Sequence, residues 1–305
     1  HMRRGRAEES GGGRVREAPP ESGRNHDALE AALVKMIVCM KQVPMVSELP
    51  WDRKTGLLKR EAAEGMMNPA CKSALEAALR IKEGHGGHIT AITMGPPMAA
   101  EILHEALSMG ADRCLLVSDP RMAGADTMAT SAVLARAIET FCSDFDLVLC
   151  GCHTSDSETA QVGPQMGEEL GIPSIASVDD LKLTGRRLRV ERVSDHFLET
   201  LEMDLPGLVT VTTAHYTPRY IPMAGLQDAF REPSILTAGA HDLGMDEAEL
   251  GLEGSPTRIL EVFSSTAGKQ NVVLAGTPRK IVEELFERFD DAIGSVIRKD
   301  LKAVK

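Results

Sequence analysis

From Met36 onward, short apolar runs alternate with segments whose apolar residues recur at helical spacing. The first run, "MIVCMKQV", lacks polar alternation, which predicts a strand covered on both faces. "NPACKSALEAALRIKEG" opens on Asn-Pro, carries Ala and Leu at helical intervals and stops at Gly84, so it predicts a helix with defined ends. The alternation continues: strand "GHITAITMGP", helix "AAEILHEALSMGA" ended by Gly110, strand "RCLLVSD", and helix "DTMATSAVLARAIETFC" behind an Asp-Thr cap. Then come strand "FDLVLCG", helix "ETAQVGPQMGEELG" starting at about Glu158, and strand "PSIASV". Units alternating in this way predict an α/β fold, a parallel sheet with helices on both faces.

The rhythm then breaks. "LKLTGRRLRVERV" and "HFLETLEMDL" alternate polar with apolar around turn signals and predict a two-sided antiparallel hairpin hanging from the sheet. "GLVTVTTA" predicts one more buried strand, and the Pro-punctuated "TPRYIPMAGLQDAFREPS" an extended loop. After an acidic stretch come a strand "ILEVF" and a closing helix with Ile281, Leu285, Phe289 and Ile293 at helical spacing. That helix needs a surface to lean on, either its own domain or a partner chain. Residues 1–34 begin with His-Met, which reads as a cloning remnant, and continue rich in Gly, Arg, Glu and Pro, which predicts a disordered extension. The expected domains are therefore 1–34, an α/β body over 35–235 and a C-terminal arm over 236–305.

Composition narrows the function. At 305 residues, 43% hydrophobic and 26% charged, the chain has the make-up of an ordinary globular protein with a sizeable core. A net charge of −11 argues against a chain-wide attraction to nucleic acid or anionic membrane, so any phosphate chemistry must be local. Aromatics at 3% argue against base-stacking platforms. No apolar run approaches the length of a membrane span and no signal peptide opens the chain, which predicts a cytoplasmic protein. The six cysteines form no CxxC pair and read as buried thiols.

The chemistry concentrates in Cys150 to Pro164, "CGCHTSDSETAQVGP". Zinc favours Cys pairs two to four residues apart with further ligands elsewhere, so Cys-x-Cys-His suits it poorly. A Cys–His nucleophilic pair suits the stretch less, since adjacent residues rarely face one another. A strand end leading by a loop into a helix N-terminus, by contrast, makes an anion site without any basic side chain. Thr154, Ser155, Ser157 and Thr159 would add hydroxyls, and Asp156 could accept from a ribose. On this stretch alone, a plain helix cap beside packing cysteines stands level with the nucleotide reading. Further Gly, Pro, Asn and Asp-Thr junctions at "MNPACKSA", "TMGPPMAA" and "AGADTMATS" favour a cleft along one sheet edge.

The order and spacing of "KMIVCMKQVP", "MNPACKSALEAALRIKE", "ITMGPP", "ALSMGADR", "FDLVLCG" and "QVGPQMGEELGIPS" resemble the β (small) subunit of electron-transfer flavoproteins. The resemblance runs from Met36 to the end, including "VERVSDHFLETLEMDLPGLVTV" and "GSPTRI". It implies a Rossmann-like body, an α subunit as partner, a closing helix that wraps onto that partner, and an adenine nucleotide in the pocket. The run from Asp156 to Pro164 is closer to the electron-bifurcating branch, whose pocket holds FAD reduced by NADH, than to the branch that holds AMP. The implied cofactor site comprises Cys39, Asn68, Pro69, Ala70, Cys71, Met94, Gly95 and the loop Gly151, Cys152, His153, Thr154, Ser155, Asp156, Ser157, Glu158, Thr159, Ala160, Gln161, Val162 and Gly163, with Asp126, Thr127 and Thr130 as additions. No side chain need act as acid or base, because a flavin carries the electrons. Tyr220, Pro222, Met223 and Leu226 match the loop that docks onto acyl-CoA-type or other flavin dehydrogenases, with Met223 as apolar anchor. Two departures stand out: Asp195-His-Phe-Leu198 at the hairpin turn, and Gln227-Asp-Ala-Phe230 where relatives carry lysines. The alternatives from other classes are an ATP- or AMP-binding α/β enzyme and a nucleotide sensor without a redox role. The chain lacks the Ser-Gly-Gly or Gly-rich Lys-Ser/Thr loop that such enzymes usually show.

Overall fold

The computed structural model describes residues 33–45, 64–231, 234–258 and 272–303. The extension expected over 1–34 lies outside the described residues up to residue 32, and so does the expected strand at 259–263. Two compact units divide at Arg258.

The first unit is built on a seven-stranded parallel sheet. Its strands are β1 (Val34–Met40), β4 (Gly87–Met94), β5 (Arg113–Val117), β6 (Leu147–Gly151), β7 (Ser174–Val178), β11 (Gly207–Val211) and β12 (Ile235–Ala238), in the order β12-β5-β4-β1-β6-β11-β7. The helices are α1 (Pro69–His85), α2 (Ala100–Met109), α3 (Thr127–Phe141), α4 (Val162–Glu169) and α5 (Met223–Arg231). The unbroken apolar run of β1 serves two cores. Met36, Val38 and Met40 pack with Leu75 of α1 and Leu103 of α2, while Ile37 and Cys39 pack with Val133 and Ile138 of α3 and Met166 of α4. Period-two side chains on a strand sandwiched between helix layers leave no polar face, which is why the sequence shows none.

Four expectations need correction. The "MIVCMKQV" strand ends at Met40, and beyond Lys41 a separate short strand, β2 (Gln42–Pro44), pairs antiparallel with β3 (Gly65–Met67). The hairpin is a three-stranded antiparallel sheet of β8 (Asp180–Thr184), β9 (Arg187–Ser194) and β10 (Phe197–Asp204), because Gly185, at φ +59°, turns the chain between Thr184 and Arg187. The "TPRYIPMAGLQDAFREPS" stretch contains α5, a short amphipathic helix that packs on α2. Ala229 is buried, Phe230 stacks on His104 with centroids 4.6 Å apart, and a Cβ on Gly225 would stand 2.5 Å from the Ser108 carbonyl oxygen. Finally, β12 edges the sheet beside β5, so the body extends past the expected boundary at 235. In the second unit, α6 (Pro278–Ala303) matches the expected closing helix, with non-helical backbone at Phe289.

A part-buried ion pair ties α1 to the run that leads into α5. Arg219 donates from Nε to Glu76 Oε2 at 2.8 Å and from Nη2 to Oε1 at 3.2 Å, and Arg80 Nε adds a bond of 3.1 Å. Burial pushes the Glu76 carboxyl up, but the hydrogen bonds from Arg219 and Arg80 outweigh it and hold the carboxyl below its ordinary value of 4.5. A depressed carboxylate contributes stability that is complete above its unfolded value and is lost as pH falls through its folded value. Glu76→Ala is expected to cost about 1–3 kcal/mol at neutral pH, since Arg219 is partly exposed and keeps Glu83 at 2.6 Å. The gap between wild type and Glu76→Gln in urea unfolding should close as pH drops below 4.5; a gap that persists in acid rejects the pairing.

Candidate functional site

The chain passes β1, β4 and β5 outward to one side, then crosses through α3 to β6 on the other side of β1. This reversal makes the carboxyl edge between β1 and β6 the crevice where an open α/β sheet receives ligands. Cys39 of β1 lies in register with Cys150 of β6, and both strands end there. Met94 and Gly95 close β4 at the same edge, with Gly95 N–H donating to Val117 O at 3.0 Å.

The N-terminus of α1 sits directly over this crevice. Gly151 ends β6 so close to α1 that a Cβ there would stand 2.6 Å from the Cys71 nitrogen and 2.7 Å from the Ala70 carbonyl carbon. Pro69 opens the helix, where its missing N–H costs nothing. Asn68 is buried but makes no cap bond to its own helix. Its Nδ2 instead donates to His153 O at 2.8 Å, and its Oδ1 accepts from Ser155 N at 3.0 Å. Asn68 thus holds the start of the loop in the geometry of a second strand.

The loop itself is longer than the pattern implied. A helix from Glu158 is not formed, because Glu158 and Ala160 lie at φ +51° and +56°, where a right-handed helix cannot run; α4 begins at Val162. Thr154 O accepts from Glu158 N at 2.9 Å, and the Thr154 and Ser157 hydroxyls are paired at 2.9 Å. Lys41 Nζ, just past β1, reaches Asp156 Oδ1 at 2.7 Å and Oδ2 at 2.9 Å, with the Asp156 side chain only 3% exposed. Lys41 is not among the residues the sequence pattern singles out, although a lysine immediately behind the apolar run that carries Cys39 is a readable signal. At the far end of the loop, Thr127 Oγ1 donates to Gln161 Oε1 at 3.2 Å. Gln161 makes no side-chain cap, so the amides of Val162 and Gly163 lack intrahelical acceptors. Gly163 serves packing: a Cβ there would stand 2.4 Å from Thr210 Cγ2 of β11, so the close approach is by a strand.

Asp126 stands apart from the other candidates. Its Oδ1 accepts from Met128 N and Ala129 N, both at 3.0 Å, as the cap of α3, and its Oδ2 accepts from Thr257 N at 3.0 Å. Partial burial raises this carboxyl, yet these amides outweigh it and hold it below its ordinary range. Both oxygens are engaged in joining α3 to the 254–258 segment. Thr130 lies one turn into α3, its amide bonded to Asp126 O at 3.0 Å.

The cysteines are packing groups. All six are buried and free. Burial raises the Cys71 and Cys152 thiols, and contact with Cys39 together with burial raises Cys150 further. Cys152 Sγ lies 3.0 Å from His153 Nδ1, so these neighbours do face one another, contrary to the expectation for adjacent residues. A thiol whose pKa is raised by burial is nevertheless the opposite of an activated nucleophile. A cavity of about 410 Å³ borders the site only at Pro69 and opens between Lys72, Glu105 and the Thr213–Pro218 run.

The partner-loop candidates fall on and before α5. Tyr220 is 99% and Met223 79% exposed, and Leu226 follows Met223 one turn on at i+3. Pro222 is exposed at the helix start, where its carbonyl accepts from Leu226 N at 3.0 Å.

Among the described residues, no helix is long and apolar enough to cross a membrane. Residues 55–239 match the family model described as the electron transfer flavoprotein domain. The chain is 39% identical over 257 residues to an electron transfer flavoprotein subunit beta of Thermoanaerobacterium thermosaccharolyticum, covering 84% of this chain and 98% of that protein. It is 40% identical over 245 residues to the caffeyl-CoA reductase-Etf complex subunit CarD of Acetobacterium woodii, covering 80% and 93%. It is 35% identical over 265 residues to the protein FixA of Azorhizobium caulinodans, covering 83% and 94%. With its parallel sheet, helices on both faces and appended antiparallel sheet, the chain belongs to the electron transfer flavoprotein family, alongside the β subunits.

Proposed function

We propose that this chain is the β subunit of a heterodimeric electron-transfer flavoprotein that holds an adenine nucleotide, FAD in preference to AMP, in the Asn68–Gly163 crevice. In this reading it passes electrons between dehydrogenases or NADH and an acceptor, in the cytoplasm. The observation that carries the reading is the loop from Gly151 to Gly163, pinned by Asn68 and Lys41 over the switch point and ending in the uncapped N-terminus of α4.

The donor set suits a nucleotide. The Val162 and Gly163 amides and the α4 dipole favour a phosphate, and the Thr159 hydroxyl adds a donor. Glu158 and Ala160 hold backbone conformations that cost about 1 kcal/mol or more each, the kind of strain that functional loops retain. A bound flavin would supply the one- and two-electron chemistry. The protein's part is to grip the nucleotide, exclude water and present no titrating thiol, since Cys71, Cys150 and Cys152 stay protonated. Preference for FAD rests on the run from Asp156 to Pro164. Asp126 would act at a distance from the ligand, as the cap that braces Thr127 against Gln161. The α subunit would receive the chain beyond Arg258, with α6 as its docking helix, and a flavin dehydrogenase would meet Met223 and Leu226 on α5.

Denaturing the heterodimer and separating the released nucleotides should give two FAD; one FAD with one AMP would reject the FAD reading and keep the site. Met223→Glu should abolish electron delivery to the dehydrogenase at unchanged nucleotide content, and normal delivery would dismiss the anchor. Ala160→Gly, by relieving a left-handed alanine, should raise the unfolding free energy by about 1 kcal/mol in chemical denaturation.

A further inference from the structure

We propose that Lys41 is a charge-neutralising positioning residue: its ammonium holds the buried Asp156 carboxylate so that an otherwise acidic loop can accept an anionic phosphate. The inference rests on the nucleotide reading above and adds to it a role for a residue outside the Gly151–Gly163 loop.

The loop poses an electrostatic problem. Residues 151–163 contain Asp156 and Glu158 and no Lys or Arg, yet they are to receive a negatively charged group. Glu158 is exposed and its field is screened by water and salt. Asp156 is 3% exposed, so its charge acts at short range through protein rather than solvent. A buried carboxylate beside an anion site would oppose binding unless a cation were fixed to it.

Lys41 meets that need in position and in geometry. It follows β1, the strand paired on both edges at the middle of the sheet, so its backbone is held by a rigid element. The ammonium touches both oxygens of Asp156, at 2.7 and 2.9 Å. Ser157 Oγ also donates to Asp156 Oδ1, at 3.4 Å. The ties from Asn68 to His153 and Ser155, from Thr127 to Gln161 and from Cys152 N to Val211 O are between neutral groups. The Lys41 contact therefore differs in kind, since it both fixes the loop and offsets its charge.

A lysine that gripped the phosphate itself would make a different prediction. In that case Asp156 would compete with the ligand, and removing the aspartate could not compensate for loss of the lysine. If Lys41 acts through Asp156, much of the cost of removing it is the charge left behind, so removing that charge as well should restore binding.

The test uses the full chain co-expressed with its α subunit, stripped of nucleotide and titrated with FAD and with AMP. Lys41→Met is expected to weaken binding about tenfold or more, while Lys41→Arg, which can hold a carboxylate through two N–H groups, stays close to wild type. Lys41→Met combined with Asp156→Asn is expected to recover to within about threefold of wild type. Wild-type affinity in Lys41→Met, or no recovery in the double variant, overturns the proposal. Thermal midpoints taken alongside separate loss of binding from loss of fold. Should Lys41→Met fail to fold, the double variant decides alone: folded and binding supports the role, folded and non-binding ends it. Wild-type protein that takes up neither FAD nor AMP removes the nucleotide reading itself, a failure seen before any variant is compared.

Discussion

The burial of β1 on both faces and along both edges is the constraint on which the rest of the structure depends. Seven residues pair with β4 on one side while four of them pair with β6 on the other, and the two helix layers use alternate side chains of the same strand. Because later strands are added first to one side of β1 and then to the other, the carboxyl edge between β1 and β6 becomes a gap that no crossover helix closes. Every feature of the candidate site stems from that gap: Gly151 under the start of α1, Asn68 reaching across to the loop, and Lys41 continuing from the end of β1.

The chemistry built on this edge is quiet. Burial keeps the thiols there protonated, and the Asp126 carboxylate is consumed in capping α3 and holding Thr257. What the edge offers is a set of oriented donors, from the first turn of α4 and the hydroxyls of the loop, on a backbone held in sparsely populated conformations at Glu158 and Ala160. Such a surface binds and orients a cofactor that brings its own reactivity, in keeping with an electron-transfer family.

Away from that edge, the Glu76–Arg219 pair fixes the run that follows β11 onto α1, and α5 then lies against α2 through Ala229, Gly225 and the stack of Phe230 on His104. The inner side of this short helix is committed to α2, which leaves Met223 and Leu226 facing outward. Met223 and Leu226, displayed on a helix seated in this way, make a compact apolar contact surface.

The sequence by itself determined the layered α/β body, because a strand covered on both faces must be apolar throughout and helices between such strands must show a 3.6-residue period. It also determined the cap at Asp126, the start of α1 at Asn68-Pro69 and the loop at Gly151, where local backbone geometry selects residue types. Only the tertiary structure decided where contact rather than period rules. It seated α5 on α2 and delayed α4 to Val162 behind two left-handed residues that carry no glycine to mark them. It alone brought Lys41 to Asp156, 115 residues away in the chain. Local pattern records what each segment prefers, whereas an ion pair across that separation exists only because parallel strands from distant parts of the chain end at the same edge.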